Sequence, residues 1–163
     1  MTMRNILNRF RNETRASMVV ETALVVPALV GMTLAGVEVS TIFVRQHELQ
    51  AAANSAVEIV IAAEPESPEE ETEMVASVRS YLTALTGLES KATIDGPNQI
   101  SVKRVIRCGN ATNFKNKDVG CTSGENKSVY VQMQMTEDYE PVWSTVGIGK
   151  ELTFKVSRTI RIG

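Results

Sequence analysis

One stretch decides the fold of this 163-residue chain: Arg15-Ala-Ser-Met-Val-Val-Glu21-Thr-Ala-Leu-Val-Val-Pro27-Ala-Leu-Val-Gly31-Met-Thr-Leu-Ala-Gly36-Val-Glu38-Val-Ser-Thr-Ile-Phe-Val-Arg45. Between the two arginines, Glu21 and Glu38 are the only ionisable residues. As a helix, these roughly 29 residues would extend about 44 Å, and a bilayer with its headgroups is about 40–45 Å thick. The uncharged part, residues 22–37, would extend about 24 Å, which suits the hydrocarbon if the helix ends snorkel. The stretch therefore predicts a membrane-inserted helix.

The flanks of this helix predict its orientation. Four arginines precede it (Arg4, Arg9, Arg11 and Arg15), and Glu13 is the only acid among them. Positively charged flanks stay in the cytoplasm, so we expect a cytoplasmic N-terminus and export of everything after about Arg45. A removed signal peptide, a plain anchor and a more specialised segment all remain open at this point.

Glu21 is the feature that separates these alternatives. A carboxylate near a bilayer centre costs roughly 2.5–3.5 kcal/mol on insertion scales, and less near the interface. In prepilins, a basic leader is cut before a small residue and a glutamate stands fifth in the mature chain. Ala16-Ser17-Met-Val-Val-Glu21 has this layout if cleavage follows Ala16. The other interpretation is a glutamate that snorkels at the membrane edge, and Glu21 alone favours neither.

A wider pattern favours the first interpretation. It consists of Ala16-Ser-Met-Val-Val-Glu21-Thr-Ala-Leu-Val-Val-Pro27, then Gly36-Val-Glu38, then Arg45-Gln46 and Leu49-Gln50-Ala-Ala-Ala53. This pattern resembles the TadE-like pseudopilins of tight-adherence pili, over about residues 13–60. Two positions depart from the family: Ala16 stands where glycine is usual before the cut, and Thr22 where phenylalanine usually follows the glutamate.

The resemblance implies a function and a set of partners. It implies a minor pilin of a Flp-type, type IV pilin-like pilus, needed for pilus assembly, adhesion or surface colonisation. The protein would be a single-pass protein of the bacterial inner membrane, with a periplasmic domain or one that is extracellular as part of a pilus. A prepilin peptidase would cut between Ala16 and Ser17, and Glu21 would serve processing and assembly. Other pilins and the pilus assembly machinery would be its partners.

This interpretation divides the chain into three parts: a cytoplasmic leader (1–16), a transmembrane half-helix (17–38) and an exported domain (39–163). The formal charge is −2, and loss of the leader would remove a net three positive charges and leave −5. An acidic exported domain argues against a nucleic-acid partner.

The two cysteines, Cys108 and Cys121, bracket a polar loop in the exported part. In an oxidising compartment such a pair is most simply a disulfide. Two thiols alone do not make an ordinary zinc site, so we expect no metal and no cofactor.

The helical pattern continues past the membrane, which predicts one helix from Ser17 to about Ala63. Its expected buried stripe consists of Val39, Ile42, Phe43, Gln46, Leu49, Ala53, Val57 and Val60. Ser67, Pro68 and Glu70 form the capping box of a second helix that ends at Gly87. The expected buried stripe of this helix consists of Met74, Val78, Leu82 and Leu85.

Alternating apolar residues after Gly87 predict short strands at Ala92–Ile94, Ile100–Ile106, Val129–Met135 and Leu152–Ile162. We expect Trp143, between the last two, to cap the core. The predicted fold class is α+β: a long transmembrane helix continues into a pilin-like exported domain with a second helix and a small antiparallel sheet.

The pattern does not indicate an enzyme. The single histidine, His47, has no Ser or Cys partner near it in sequence, and an exposed helix position is the expected role. Two other interpretations stay open. One is a secreted protein whose signal peptide is cut near Ala35, because Thr33-Leu-Ala35 is a passable small-residue site. The other is a membrane-anchored periplasmic binding module that is never cut.

Overall fold

The structure, a computed structural model, describes residues 14–109, 111–116, 121–122, 124–147 and 150–162. Residues 1–13 of the predicted leader lie outside the described residues, as do the side chains of residues 14–17 and of Val146. The chain divides into two compact units, Met1–Thr41 and Ile42–Gly163. The predicted three-part division by cleavage and membrane burial remains a prediction.

A single long helix, α1, spans Thr14–Ala63. Pro27 lies inside it, although its ring removes one backbone donor from the helical ladder. The part of α1 that packs in the second unit buries Leu49, Ala53 and Val60. Ala52 and Ala56 are buried beside them, and such small side chains allow neighbouring elements to approach closely.

The second helix, α2, spans Pro68–Thr86 and has the ends that the sequence predicts. The Ser67 hydroxyl accepts a hydrogen bond from the Glu70 backbone N–H at 3.2 Å, and the Glu70 carboxylate accepts one from the Glu66 N–H at 2.9 Å. Gly87 ends the helix with φ of 74°, a left-handed conformation that glycine adopts without strain. The predicted N-cap and C-cap are confirmed, but the Glu70 carboxylate binds the N–H of the residue before the N-cap, so the capping box is shifted by one residue.

The predicted buried stripes are partly wrong. On α2, Leu85 is exposed and Val75 is buried. The reason is that Thr86, one residue later, takes the inward position: its hydroxyl donates to the Leu82 carbonyl oxygen and accepts from the Leu88 N–H. On α1, Val39 and Phe43 are exposed.

Five strands form one mixed sheet: β1 (Glu89–Ser90), β2 (Gln99–Cys108), β3 (Lys115–Asn116), β4 (Lys127–Tyr139) and β5 (Leu152–Arg161). Their order is β1-β2-β4-β5, and β3 also pairs with β2. The register of the long central pair runs from Gln99 opposite Thr136 to Cys108 opposite Lys127. The predicted α+β class is confirmed, but the sheet is mixed because β1 runs parallel to β2.

The predicted strand at Ala92–Ile94 is wrong. The segment that contains it is held by side chains of β2 instead of a strand ladder. The Ser101 hydroxyl donates to the Ala92 carbonyl oxygen at 2.8 Å, and the Gln99 side-chain oxygen accepts from the N–H groups of Asp95 and Gly96. Polar side chains that satisfy backbone groups locally compete with regular strand pairing.

The core lies between the two helices and one face of the sheet. Its sheet-side members are Ile100, Val102, Val131, Met133, Met135, Phe154 and Val156. Trp143 is half-buried in a 3₁₀ helix, Val142–Val146, and is not part of this cluster. At the end of β4, the aromatic contact is instead between Tyr139 and Phe154, whose ring centroids are 6.1 Å apart.

Candidate assembly site on the N-terminal helix

The first half of α1 carries an apolar surface that nothing in the described part of the chain covers. Every large apolar side chain between Met18 and Val37 is at least 47% exposed. The helix from Met18 to Ala63 is the one candidate membrane span among the described residues, by its length and apolar composition, and none of its most apolar stretch is buried. A continuous exposed apolar surface of this length is unfavourable in water, so lipid or neighbouring helices must cover it.

The hydroxyl groups on this surface are satisfied by the helix itself. Thr22 donates to the Met18 carbonyl oxygen at 2.8 Å, and Thr33 donates to the Val30 carbonyl oxygen at 2.9 Å. Within hydrocarbon, a hydroxyl group without a partner would cost free energy, and a bond back to the preceding turn avoids that cost. The two threonines are therefore compatible with a membrane position.

The predicted processing site lies at the beginning of α1. Ala16, Ser17 and Glu21 have helical backbone, and Glu21 is exposed on the same apolar surface. Ser17 and Glu21 are four residues apart, so they stand on one face of the helix, one turn from each other. Cleavage between Ala16 and Ser17, and the assembly role of Glu21, remain predictions.

The small residues near Pro27 leave a shallow surface groove of about 490 Å³, lined by Met18, Val19, Thr22, Ala23, Val26 and Pro27. A Cβ added to Gly31 or Gly36 would meet no atom within 4 Å in the described residues. Packing within the chain thus gives no reason for glycine at these two positions.

The second glutamate of α1 differs from the first. Glu38 is only 8% exposed, although it lies next to exposed apolar residues on both sides. A buried carboxylate needs partners, and Glu38 does have an interaction in the structure. The two glutamates that the sequence singled out are therefore in different environments.

Beyond these, Arg45 is a residue whose role the sequence did not indicate. Its guanidinium contacts Glu48 and Glu137 and donates a hydrogen bond to the Thr86 carbonyl oxygen at 3.0 Å. The hydrogen bond to Glu137 raises the pKa of Arg45 above its ordinary value, and burial opposes this shift. Glu137 lies on a strand whose position relative to α1 cannot be read from periodicity, so no signal in the sequence identified the pair.

Cys108 and Cys121 form the disulfide that the sequence predicted. The Glu125 carboxylate lies within 4.8 Å of both sulfur atoms, but disulfide sulfurs are not the thiolates that bind metals. Phe114, inside the enclosed loop, packs edge-on against Tyr130 of β4 with ring centroids 5.2 Å apart. His47 is exposed on α1, as expected.

The fold and this exposed helix define an α+β protein whose N-terminal helix is apolar enough to cross a membrane. Within that class, residues 16–58 match the model of the TadE-like protein family, in agreement with the resemblance found in the sequence. The match ends inside α1, so α2 and the sheet lie outside it. No curated protein and no solved structure matches the chain.

Proposed function

We propose that this chain is a minor pilin, or pseudopilin, of a tight-adherence pilus. The observation that carries the proposal is a coincidence in position: the TadE-like match, residues 16–58, falls on the helix whose apolar surface is exposed. In this role α1 anchors the protein in the inner membrane with its N-terminus in the cytoplasm, and the sheet domain is exported. The role is structural, in assembly, adhesion or surface colonisation, and not catalytic.

Glu21 supplies the mechanism of assembly. Cleavage after Ala16 by a prepilin peptidase leaves a positively charged amine on Ser17, one helical turn from the Glu21 carboxylate. In an apolar environment an unpaired carboxylate tends to take up a proton, whereas a carboxylate beside a cation stays charged. Pairing between the amine and the carboxylate of adjacent helices therefore favours one axial offset between subunits. A fixed offset is what a regular fibre needs.

The test compares two substitutions in the native host. We expect Glu21→Ala to leave cleavage and membrane insertion largely intact but to abolish piliation and co-purification with pilus components. Ala16→Trp should block cleavage and leave the full-length precursor in the membrane. Glu58→Ala, which removes an exposed glutamate from the same helix, is the matched control and should assemble normally.

Two readouts decide the outcome: mass spectrometry of the mature N-terminus and a piliation assay. A mature chain that starts at Gly36 would establish the secreted alternative, with cleavage after Ala35. A chain that keeps residues 1–16 and needs no cleavage for function would establish the anchored binding module. Normal pili in the Glu21→Ala strain would also reject the proposal.

A further inference from the structure

The outer edge of β2 has a gap in its strand pairing. On that side, β1 pairs with Gln99 and Ile100, and β3 pairs with Val105 and Ile106. Between these pairs, residues 101–104 have a strand neighbour only on the β4 side, as far as the described residues show. A gap of this kind leaves backbone groups of a central strand open to another partner.

A cleft of about 430 Å³ opens beside this gap, between α2 and the sheet. Arg79 reaches into the gap from α2 and donates a hydrogen bond to the Val102 carbonyl oxygen at 2.8 Å. The walls also carry Lys103 and Arg104 of β2 and Lys115 of β3. Thr93 stands at the exposed rim.

The cleft has an excess of positive charge. Among the described residues, four cationic side chains line it, and Glu71 is the only acidic residue in that lining. Glu71 is already engaged by Arg104 in a largely covered ion pair, with 2.6 Å between Oε2 and Nε. Those two atoms are close but lack hydrogen-bond geometry, so the contact is an ion pair without a hydrogen bond. No salt bridge joins Lys103 or Lys115 to any described residue.

The same chain carries the opposite charge in the segment Glu64–Glu73. It has six glutamates in ten positions: Glu64, Glu66, Glu69, Glu70, Glu71 and Glu73. Glu70 serves the cap of α2 and Glu71 pairs with Arg104, but Glu69 and Glu73 are exposed on the first turns of α2. The dipole of α2 stabilises acids in its first turn by about 0.3–1 kcal/mol each, and the exposed carboxylates of Glu69 and Glu73 remain accessible to a partner.

We propose that the cleft of one copy binds exposed carboxylates of the acidic segment Glu64–Glu73 of a second copy. Charge complementarity supports a second copy as the occupant, since both surfaces are present on every chain. Glu71 belongs to both features, so the cleft and the acidic segment are neighbours on the surface. In a two-fold symmetric pair, the cleft of each copy can then contact the acidic segment of the other copy. The inference goes beyond the proposed function, because it requires neither cleavage after Ala16 nor pairing of Glu21.

Site-specific cross-linking in membranes that contain the full chain identifies the occupant. A photoreactive p-benzoylphenylalanine replaces Thr93 at the rim, and mass spectrometry maps the cross-linked peptide. We expect a link to residues 64–73 of another copy. The same probe at Thr159, exposed on β5, is the control and should not give that link. Links from position 93 only to lipid, to another protein or to a different part of the chain would overturn the proposal.

Charge reversal tests the contact independently. Lys103→Glu with Lys115→Glu places negative charge in the cleft, and we expect the cross-link yield from position 93 to fall about tenfold or more. Combining this variant with copies that carry Glu69→Lys and Glu73→Lys should restore the link between the two kinds of copy. Lys127→Glu with Lys155→Glu, at exposed sites on β4 and β5, is the matched control. An unchanged yield in the cleft variant, an equal loss in the control, or no restoration by the swapped pair would each contradict the proposal.

Discussion

Arg45 of α1 and Glu137 of β4 are joined across 92 positions of sequence: the Arg45 Nε–H points between the two carboxylate oxygens, at 2.9 and 3.0 Å. The other nitrogens of the same guanidinium reach Glu48 and the Thr86 carbonyl oxygen. The Arg45 side chain therefore connects α1 to the end of β4 and to the end of α2. A planar guanidinium with several donors can make these contacts at once, and an ammonium group cannot.

We expect Arg45→Ala to lower the free energy of unfolding by about 1–3 kcal/mol, because it leaves the mostly covered Glu137 carboxylate without its partner. Arg45→Lys should recover only part of the loss, since it cannot reach all three acceptors. Urea unfolding of the full chain in detergent, followed by circular dichroism, measures the difference. Lys155→Ala, at an exposed site on β5, should be neutral, and equal effects of Arg45→Ala and Lys155→Ala would contradict the role of Arg45.

The disulfide should stabilise the sheet domain. Cys108 ends β2, and its bond to Cys121 closes a polar loop with a sequence separation of 13. Closing a loop of this size is worth roughly 3 kcal/mol in the loop-entropy model. Cys108→Ser together with Cys121→Ser should therefore lower the melting temperature by several degrees. Free thiols at both positions in protein from its native compartment, or an unchanged melting temperature, would show that the bond does not have this role.

Residues 42–163 should fold without the first part of α1. This unit contains the buried apolar residues of α1, all of α2 and the whole sheet. We expect a chain that begins at Ile42 to be soluble and to unfold cooperatively under oxidising conditions, as judged by chromatography and thermal melting. A chain that begins at Glu64 loses Leu49, Ala53 and Val60 from the core and should aggregate. Persistent aggregation of the longer chain, or folding of the shorter one, would contradict this division.

The cap of α2 offers a smaller and sharper test. Ser67→Ala removes the acceptor of the Glu70 N–H and should cost about 1 kcal/mol of stability. Ser77→Ala, on the exposed face in the middle of the same helix, should be neutral or slightly stabilising because alanine is the better helix former. Chemical denaturation of both variants provides the comparison. Similar values for both would mean that the Ser67 hydroxyl does not cap the helix.

The features that the sequence predicted correctly depend on local chemistry. The long helix follows from the apolar run of residues 16–44 and the apolar stripe that continues it, and both ends of α2 follow from Ser67, Glu70 and Gly87. The three long strands follow from alternation, although each runs one to several residues beyond or short of its predicted bounds at one or both ends. The disulfide required only two cysteines on either side of a polar loop.

The features that it missed depend on particular side-chain contacts that periodicity does not show. Leu85 was expected inside because it continues the stripe, but Thr86 takes the inward position, where its hydroxyl donates to the Leu82 carbonyl oxygen and accepts from the Leu88 N–H. Ala92 belongs to a segment held by side chains of the next strand, which no periodicity reveals. The cleft combines α2 with β2 and β3, so its positive charge becomes visible only when Arg79, Lys103 and Lys115 are brought together.

The place of β4 in the sheet has a consequence for the order of events as the chain is made. This strand pairs with both β2 and β5, yet it ends at Tyr139, late in the sequence. Synthesis proceeds from the N-terminus, so Leu49, Val60 and the rest of the buried apolar side of α1 are made long before the strands that cover them. During that interval those apolar side chains are exposed and can form non-native contacts or aggregate. A factor that shields them until residue 139 has been made would raise the yield of folded protein.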